Sequence, residues 1–328
     1  MPGVPLSILD LAPIRRGETP RDSFSASVTL ARRAEELDYR RVWYAEHHNM
    51  PTIASSATSV LIAHVAAHTD RIRLGAGGIM LPNHAPLTIA EQFGTLEAMH
   101  PGRIDLGLGR APGSDQITML ALRRNPSSAD RFGDDVLELQ GYLGDETRVP
   151  GVHATPGAGS HVPLYILGSS MFGALLAASL GLPYAFASHF APDALTDAVG
   201  AYRAQFRPSA QLDHPYVIAG VNVVAADSAS EAEEHFEKAK RSRAIALFGR
   251  GASLSDEQAE AILASPAGRH IEHMAMYTAL GTPTAVSEYI GAFAKHADAD
   301  ELMTVHHLPT ADARLRSVEL LADSQGPG

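Results

Sequence analysis

Two histidines, His47 and His48, follow the short β-type run Arg41-Val42-Trp43-Tyr44 in the stretch Ala45-Glu46-His47-His48-Asn49. Imidazole titrates close to neutral pH, so adjacent rings at a strand end point to proton transfer or ligand binding. Successive side chains on an extended backbone face opposite ways, so the two rings would not chelate one ion together. The chain also lacks the carboxylates that normally join imidazoles around a metal, and no metal site is expected. One of the pair reads as structural, with His48 hydrogen-bonded inside the fold. His306-His307 repeats the pattern in a weaker context, while His68 and His100 fall on or after helical segments and read as surface residues.

A second constellation suits an anion. Gly168-Ser169-Ser170-Met171-Phe172-Gly173 lies between a strand-like run and a helical one. Free backbone N–H groups and serine hydroxyls at a helix start attract negative charge. Arg110, in Gly107-Leu108-Gly109-Arg110-Ala111-Pro112-Gly113-Ser114, could complete such a site as a bidentate partner. Neither loop matches a Walker loop or a GxGxxG dinucleotide fingerprint. The plainer alternative has the serines capping a helix and Arg110 pairing with Asp115 or Asp105.

These residues need a scaffold that brings loop ends together. β-type runs occur at 6–9, 41–44, 72–75, 104–108, 164–167, 184–187, 217–221 and 301–305, and segments of helical spacing separate most of them. Thr19-Pro20 reads as an N-cap followed by proline, ahead of Phe24, Val28, Ala31 and Ala34 on one face. Eight strands interleaved with helices predict an α/β protein, a single (β/α)8 TIM barrel domain over residues 1–328. Its insertions fall after strands 4 and 7, in the long connections 110–162 and 224–300. The second, with Gly249 and Gly251 as hinges, is expected to supply a mobile cover over residues 244–280, and the end at 325–328 to fray. Such a barrel gathers its strand ends at one mouth. Here that mouth would be rich in imidazole, hydroxyl and glycine and poor in carboxylate, an inventory better suited to an anionic ligand than to a divalent metal.

Composition narrows the class further. The 328 residues are 45% hydrophobic and 19% charged, with a formal net charge of -11. An acidic balance argues against nucleic acid as a partner. The absence of cysteine excludes disulfides, thiolate metal sites and cysteine nucleophiles. No basic-then-apolar leader opens the sequence and no run approaches about 18 apolar residues, so a soluble cytoplasmic protein, not a membrane one, is expected.

Three motifs together resemble the bacterial luciferase-like flavin-dependent monooxygenases. They are Trp43-Tyr44-Ala45-Glu46-His47-His48-Asn49, Gly75-Ala76-Gly77-Gly78-Ile79-Met80-Leu81-Pro82-Asn83-His84 and Pro101-Gly102-Arg103-Ile104-Asp105-Leu106-Gly107-Leu108-Gly109-Arg110-Ala111-Pro112-Gly113. The likeness covers nearly the whole chain. With Leu9-Asp10-Leu11-Ala12-Pro13 and Gly168-Ser169-Ser170, it is greater to the uncharacterised bacterial branch than to the light-emitting subunits.

The resemblance implies a barrel that binds reduced FMN at its mouth, often as a homodimer, with a separate flavin reductase as partner and a small organic molecule as substrate. The activity implied is oxidation of paired donors with incorporation of molecular oxygen. His47 is implied as the catalytic group beside the flavin, and Arg110 and Ser169 as phosphate ligands, with Gly168 and Ser170 in the same turn. A cis peptide is implied at Gly77-Gly78 beneath the ring. Where the luciferase subunit has a reactive cysteine, a glutamate and a threonine, this chain has Gly109, Gly168 and Phe172, so thiol chemistry is excluded and phosphate is left to backbone N–H groups and the serines. The alternatives are a deazaflavin-dependent hydride-transfer enzyme, a flavin-binding protein without turnover and, last, a metal-dependent barrel hydrolase.

Overall fold

A computed structural model of the chain describes residues 3–111, 115–249 and 254–325. Pro112-Gly113-Ser114, the 250–253 part of the expected hinge and the terminal 326–328 lie outside the described residues. The strands are β1 (Leu6–Asp10), β2 (Arg41–Tyr44), β3 (Arg73–Met80), β4 (Ile104–Gly109), β5 (Leu164–Gly168), β6 (Tyr184–Phe186), β7 (Val217–Ala225), β8 (Thr278–Gly281) and β9 (Glu301–Val305). All pair in parallel. Eight of them close in the order β1-β2-β3-β4-β5-β6-β7-β9 and back to β1, a (β/α)8 barrel.

The helices are α1 (Pro20–Glu36), α2 (Thr58–Ala66), α3 (Pro86–Met99), α4 (Gln116–Ala121), α5 (Phe132–Leu143), α6 (Met171–Leu180), α7 (Leu195–Gln205), α8 (Ala229–Phe248), α9 (Asp256–Leu263), α10 (Pro266–Met274), α11 (Pro283–His296) and α12 (Ala311–Gln325). α1 starts at the expected place, with the Thr19 hydroxyl accepting from the Asp22 N–H and the Asp22 carboxylate accepting from the Thr19 N–H. Such a cap satisfies two backbone donors that the helix itself cannot. α4 and α5 occupy the insertion after β4, and α8 to α10 the one after β7.

Two expectations need correction. The long connection before the last barrel strand contains an extra strand, β8, which pairs with the far half of β7 from Asn222↔Thr278 to Ala225↔Gly281. The run Thr278-Ala279-Leu280-Gly281 has one β-branched residue beside helix-favouring Ala and Leu, so it does not stand out from the helical segments around it. The third strand also continues to Met80, so Gly77 and Gly78 lie within it and not after it, where the register with β4 shifts between Ala76 and Ile79. Paired glycines read as strand punctuation, but here backbones crowd together: a Cβ on Gly78 would sit 2.7 Å from the Gly107 carbonyl oxygen.

The amino-terminal end of the barrel interior is filled by charge. Arg41, 1% exposed, donates to Asp105 and to the Tyr165 hydroxyl, both at 2.7 Å, and to Glu301 at 3.1 Å. Ser7 and Tyr216 donate to Glu301 at 2.5 and 2.7 Å, and Trp43 and Arg73 to Asp105 at 3.1 and 2.5 Å. Burial alone would lower the Arg41 pKa, but Asp105 and then Glu301 outweigh it and raise it. The guanidinium groups of Arg41 and Arg73, with half-exposed Arg40 3.5 Å from Glu301, neutralise the two buried carboxylates, without which burial would be prohibitive. Arg41→Met should therefore lower the unfolding free energy by about 3–5 kcal/mol, because both carboxylates lose a buried partner. Denaturant unfolding checks this, and a loss below about 1 kcal/mol would show the cluster to be dispensable.

Candidate active site

The carboxyl ends of the strands open into a cavity of about 1420 Å³. His47, Gly77, Gly78, Arg110, Gly168, Ser169 and Ser170 all line it, whereas Asn83, His84 and Ser188, also expected at the strand ends, do not. Its floor is an apolar layer that includes Leu9, Trp43, Ile218, Met303 and Val305. A mostly apolar concavity with a few convergent polar groups is the usual form of a small-molecule site.

The loop after β2 is organised by a residue that sequence reading passed over. Glu46, 1% exposed, accepts from the Met80 N–H at 3.0 Å and from Asn83 Nδ2 at 3.3 Å, and lies 2.9 Å from Nε2 of both His48 and His84. Burial pushes its pKa up, but the hydrogen bond and charge of His84, then His48 and the Met80 N–H, leave it below the usual value. The carboxylate thus clamps the His47 loop to the end of β3. His48 is structural as expected, but its place needs correction: it binds Glu46 at the rim, with its side chain 19% exposed, and does not enter the barrel. The signal in the sequence was the acidic residue beside two imidazoles; its third imidazole partner lies 38 residues away.

His47 faces the cavity, half-buried, with its backbone N–H donated to Ser55 and its Nδ1 buried without a hydrogen-bond partner. Burial lowers its pKa, Glu46 opposes that shift and His48 adds to it, so the ring is neutral at pH 7. The Gly77-Gly78 peptide, which also lines the cavity, is cis.

Across the mouth, the Arg110 guanidinium lies 4.3 Å from the centroid of the Phe172 ring, on the first turn of α6. Its Nε donates to the Ala129 carbonyl at 3.1 Å, and its nearest carboxylate, Asp130, is 4.0 Å away and largely exposed. Neither pairing in the plainer alternative forms: Asp115 caps α4 through the Thr118 N–H, and Asp105 is held by Arg41 and Arg73. Ser170 occupies the N-cap of α6 but makes no side-chain cap bond, and no acidic residue lies in the first turn. Ser169, Ser170, Phe172 and Gly173 line the cavity together with Arg110, so a helix start and a cation border the same space, as an anion would require.

The last strand delivers the second histidine pair. His306, 3% exposed, has Nδ1 2.9 Å from Ser317 Oγ and Nε2 3.2 Å from Thr304 Oγ1, so it is structural. Burial, then Arg314, lowers its pKa to about 3. His307 lines the cavity, together with His189 after β6. Burial first, and Arg243 second, hold His189 at about 3 and His307 well below its ordinary value. Both residues border the cavity and are half-buried. Among the described residues no group of three or more His, Asp or Glu could hold a metal, and no helix is long and apolar enough to cross a membrane.

Barrel, cavity and loops describe an enzyme that handles a small molecule at the strand carboxyl ends. A family model described as luciferase-like monooxygenase matches residues 5–300, and the chain belongs to that family. It is 47% identical to a luciferase-like monooxygenase of Escherichia coli (strain K12), over 98% of this chain and 96% of the relative. It is 37% identical to the N-acetyl-S-alkylcysteine monooxygenase of Bacillus subtilis (strain 168), over 79% of each. The solved structure of apo-MsnO8 superposes with a TM-score of 0.88 at 34% identity, covering 98% of both chains. At 16% identity the fold alone is shared with two further solved structures. One is the oxygenating constituent of 3,6-diketocamphane monooxygenase of Pseudomonas putida in complex with FMN (TM-score 0.73). The other is the coenzyme F420-dependent tetrahydromethanopterin reductase of Methanopyrus kandleri (TM-score 0.70).

The buried histidines make stability depend on pH. His306 titrates near 6.5 when unfolded and near 3 when folded, so the unfolded chain takes up the proton first as pH falls. Its contribution is intact above about pH 6.5 and is lost progressively toward pH 3. Urea unfolding between about pH 7 and 5 should show stability falling, and His306→Asn should reduce that slope by up to about 1.4 kcal/mol per pH unit. An unchanged slope would assign the acid sensitivity elsewhere.

Proposed function

We propose that the chain is an FMN-dependent monooxygenase of the two-component type, which receives reduced FMN from a separate flavin reductase and oxidises a small organic substrate with molecular oxygen. The observation that carries this reading is the pairing of Arg110 with the uncapped start of α6 and the free Ser169 hydroxyl at one side of a large apolar cavity. The residues present fit the cofactor: a cation, backbone donors and hydroxyls for its phosphate, and the Gly77-Gly78 segment of β3, bare of side chains, for its ring. When bound, the reduced flavin supplies the activation of oxygen. Arg110 and Ser169 bind and orient the phosphate, with Gly168 and Ser170 completing the turn. Neutral His47, held beside the ring by the Glu46 clamp, accepts or donates a proton at its imidazole. The insertion bearing α8 to α10 covers the mouth and keeps water out. Homodimerisation and a cytoplasmic location complete the proposal.

The known activities of the relatives support an oxygenating role, and the FMN complex of a distant barrel supports the cofactor. The second reading, deazaflavin-dependent hydride transfer, has its support in the F420-dependent barrel. Difference absorption spectra with FMN and with F420 separate the two.

Arg110→Ala and Ser169→Ala should each weaken anaerobic binding of reduced FMN, the arginine change by about ten- to a hundredfold, the loss of a charge-assisted hydrogen bond worth about 1.5–3 kcal/mol. Unchanged affinity in both would move the phosphate elsewhere. His47→Ala should fold and bind FMN but release more hydrogen peroxide per oxygen consumed, with turnover reduced about a hundredfold. His48→Ala should instead lose stability through Glu46. Equal coupling in wild type and His47→Ala would end the catalytic assignment.

A further inference from the structure

The cavity has a second cationic pole. Helix α8 carries four cations that line it: Lys238, Lys240, Arg241 and Arg243. Three are matched: Lys238 by Glu234 at 2.5 Å, Lys240 by Glu237 at 2.7 Å and Arg241 by Glu260 at 2.6 Å. Arg243 has no acidic partner and no hydrogen bond among the described residues, although it is half-buried. A desolvated guanidinium left without a counterion is costly, and one that lines a cavity invites an anion into it. Its surroundings are prepared for that. Burial first and the Arg243 charge second lower the pKa of both His189 and His307, and His189 Nδ1 is a buried atom with no hydrogen-bond partner among the described residues.

Topology separates this pole from Arg110. His307 follows β9, and β9 is four strands from β4 in either direction around the closed barrel, so it stands diametrically opposite the strand that Arg110 follows. Between the poles lies the apolar floor of Trp43, Ile218, Met303 and Val305. Arg314 also lines the cavity and acts on His307 but is matched by Asp10 at 2.9 Å, which leaves Arg243 to balance a single negative charge, and its planar guanidinium fork matches a carboxylate.

We propose that Arg243, with His307 and His189 beside it, docks the carboxylate of a monoanionic substrate whose apolar body lies on the floor of the cavity. The assignment rests on the flavin reading insofar as the Arg110 pole is given to the cofactor.

Trp43 is the single tryptophan of the chain and lines the cavity, so its fluorescence reports occupancy without turnover. The probes are hexanoate and its neutral counterpart hexanamide. Wild type should bind hexanoate about tenfold or more tightly than hexanamide, and Arg243→Gln should bring the two within about twofold. Arg243→Lys should recover part of the preference, and Arg110→Ala should keep it. Equal binding of the two probes to wild type, a preference that survives Arg243→Gln or vanishes in Arg110→Ala, or no saturable signal from either probe overturns the proposal. A parallel FMN titration separates the two readings. Wild type that selects hexanoate through Arg243 yet binds no FMN defeats the flavin reading alone. Arg243→Gln that loses FMN affinity assigns the guanidinium to the cofactor and overturns this proposal alone.

Discussion

A charge inside a closed barrel must meet its opposite, and that requirement shapes both ends of this protein. At the amino-terminal end Arg41 joins β2 to β4 through Asp105 and to β9 through Glu301. These strands are not neighbours in the sheet, so the ionic cluster braces the barrel across its interior as well as around its wall. At the carboxyl end Glu46 does the equivalent for loops, drawing the segment after β2 and the segment after β3 onto one carboxylate. Buried ion groups of this kind contribute uncertainly to net stability, but the loss of one partner is costly, so they fix geometry. The His47 loop inherits its position from that constraint.

The cavity between these clusters is electrostatically lopsided. Burial lowers the pKa of its histidines, while two of its guanidinium groups come from different elements, Arg110 after β4 and Arg243 on α8. A neutral ring can take part in proton transfer without competing with a guanidinium for an anion.

Much of this was legible in residues whose roles are local. The Thr19-Pro20 start, the strand runs and the serine turn before α6 depend on neighbours within a few positions, and the structure places them as the pattern predicted. What stayed hidden depends on partners far along the chain. Glu46 looked like one member of a motif because His84 and Met80 meet it only in three dimensions. Arg243 sits in a run of charges that reads as a solvated helix face, and only the fold shows that its neighbours are paired and it is not. β8 escaped notice because Ala279 and Leu280 favour helix and only Thr278 is β-branched.

That short strand bears on how the scaffold can change over evolutionary time. The excursion over residues 226–277 leaves from the end of β7 and returns alongside it, its two ends hydrogen-bonded through β8. A segment whose ends are already joined can be lengthened, trimmed or replaced with little effect on the rest of the barrel, since doubling a flexible loop costs only about 0.6 kcal/mol of closure entropy. The β7–β8 pair thus acts as a clasp on which different covers can be hung, leaving substrate preference free to drift while the barrel beneath stays the same.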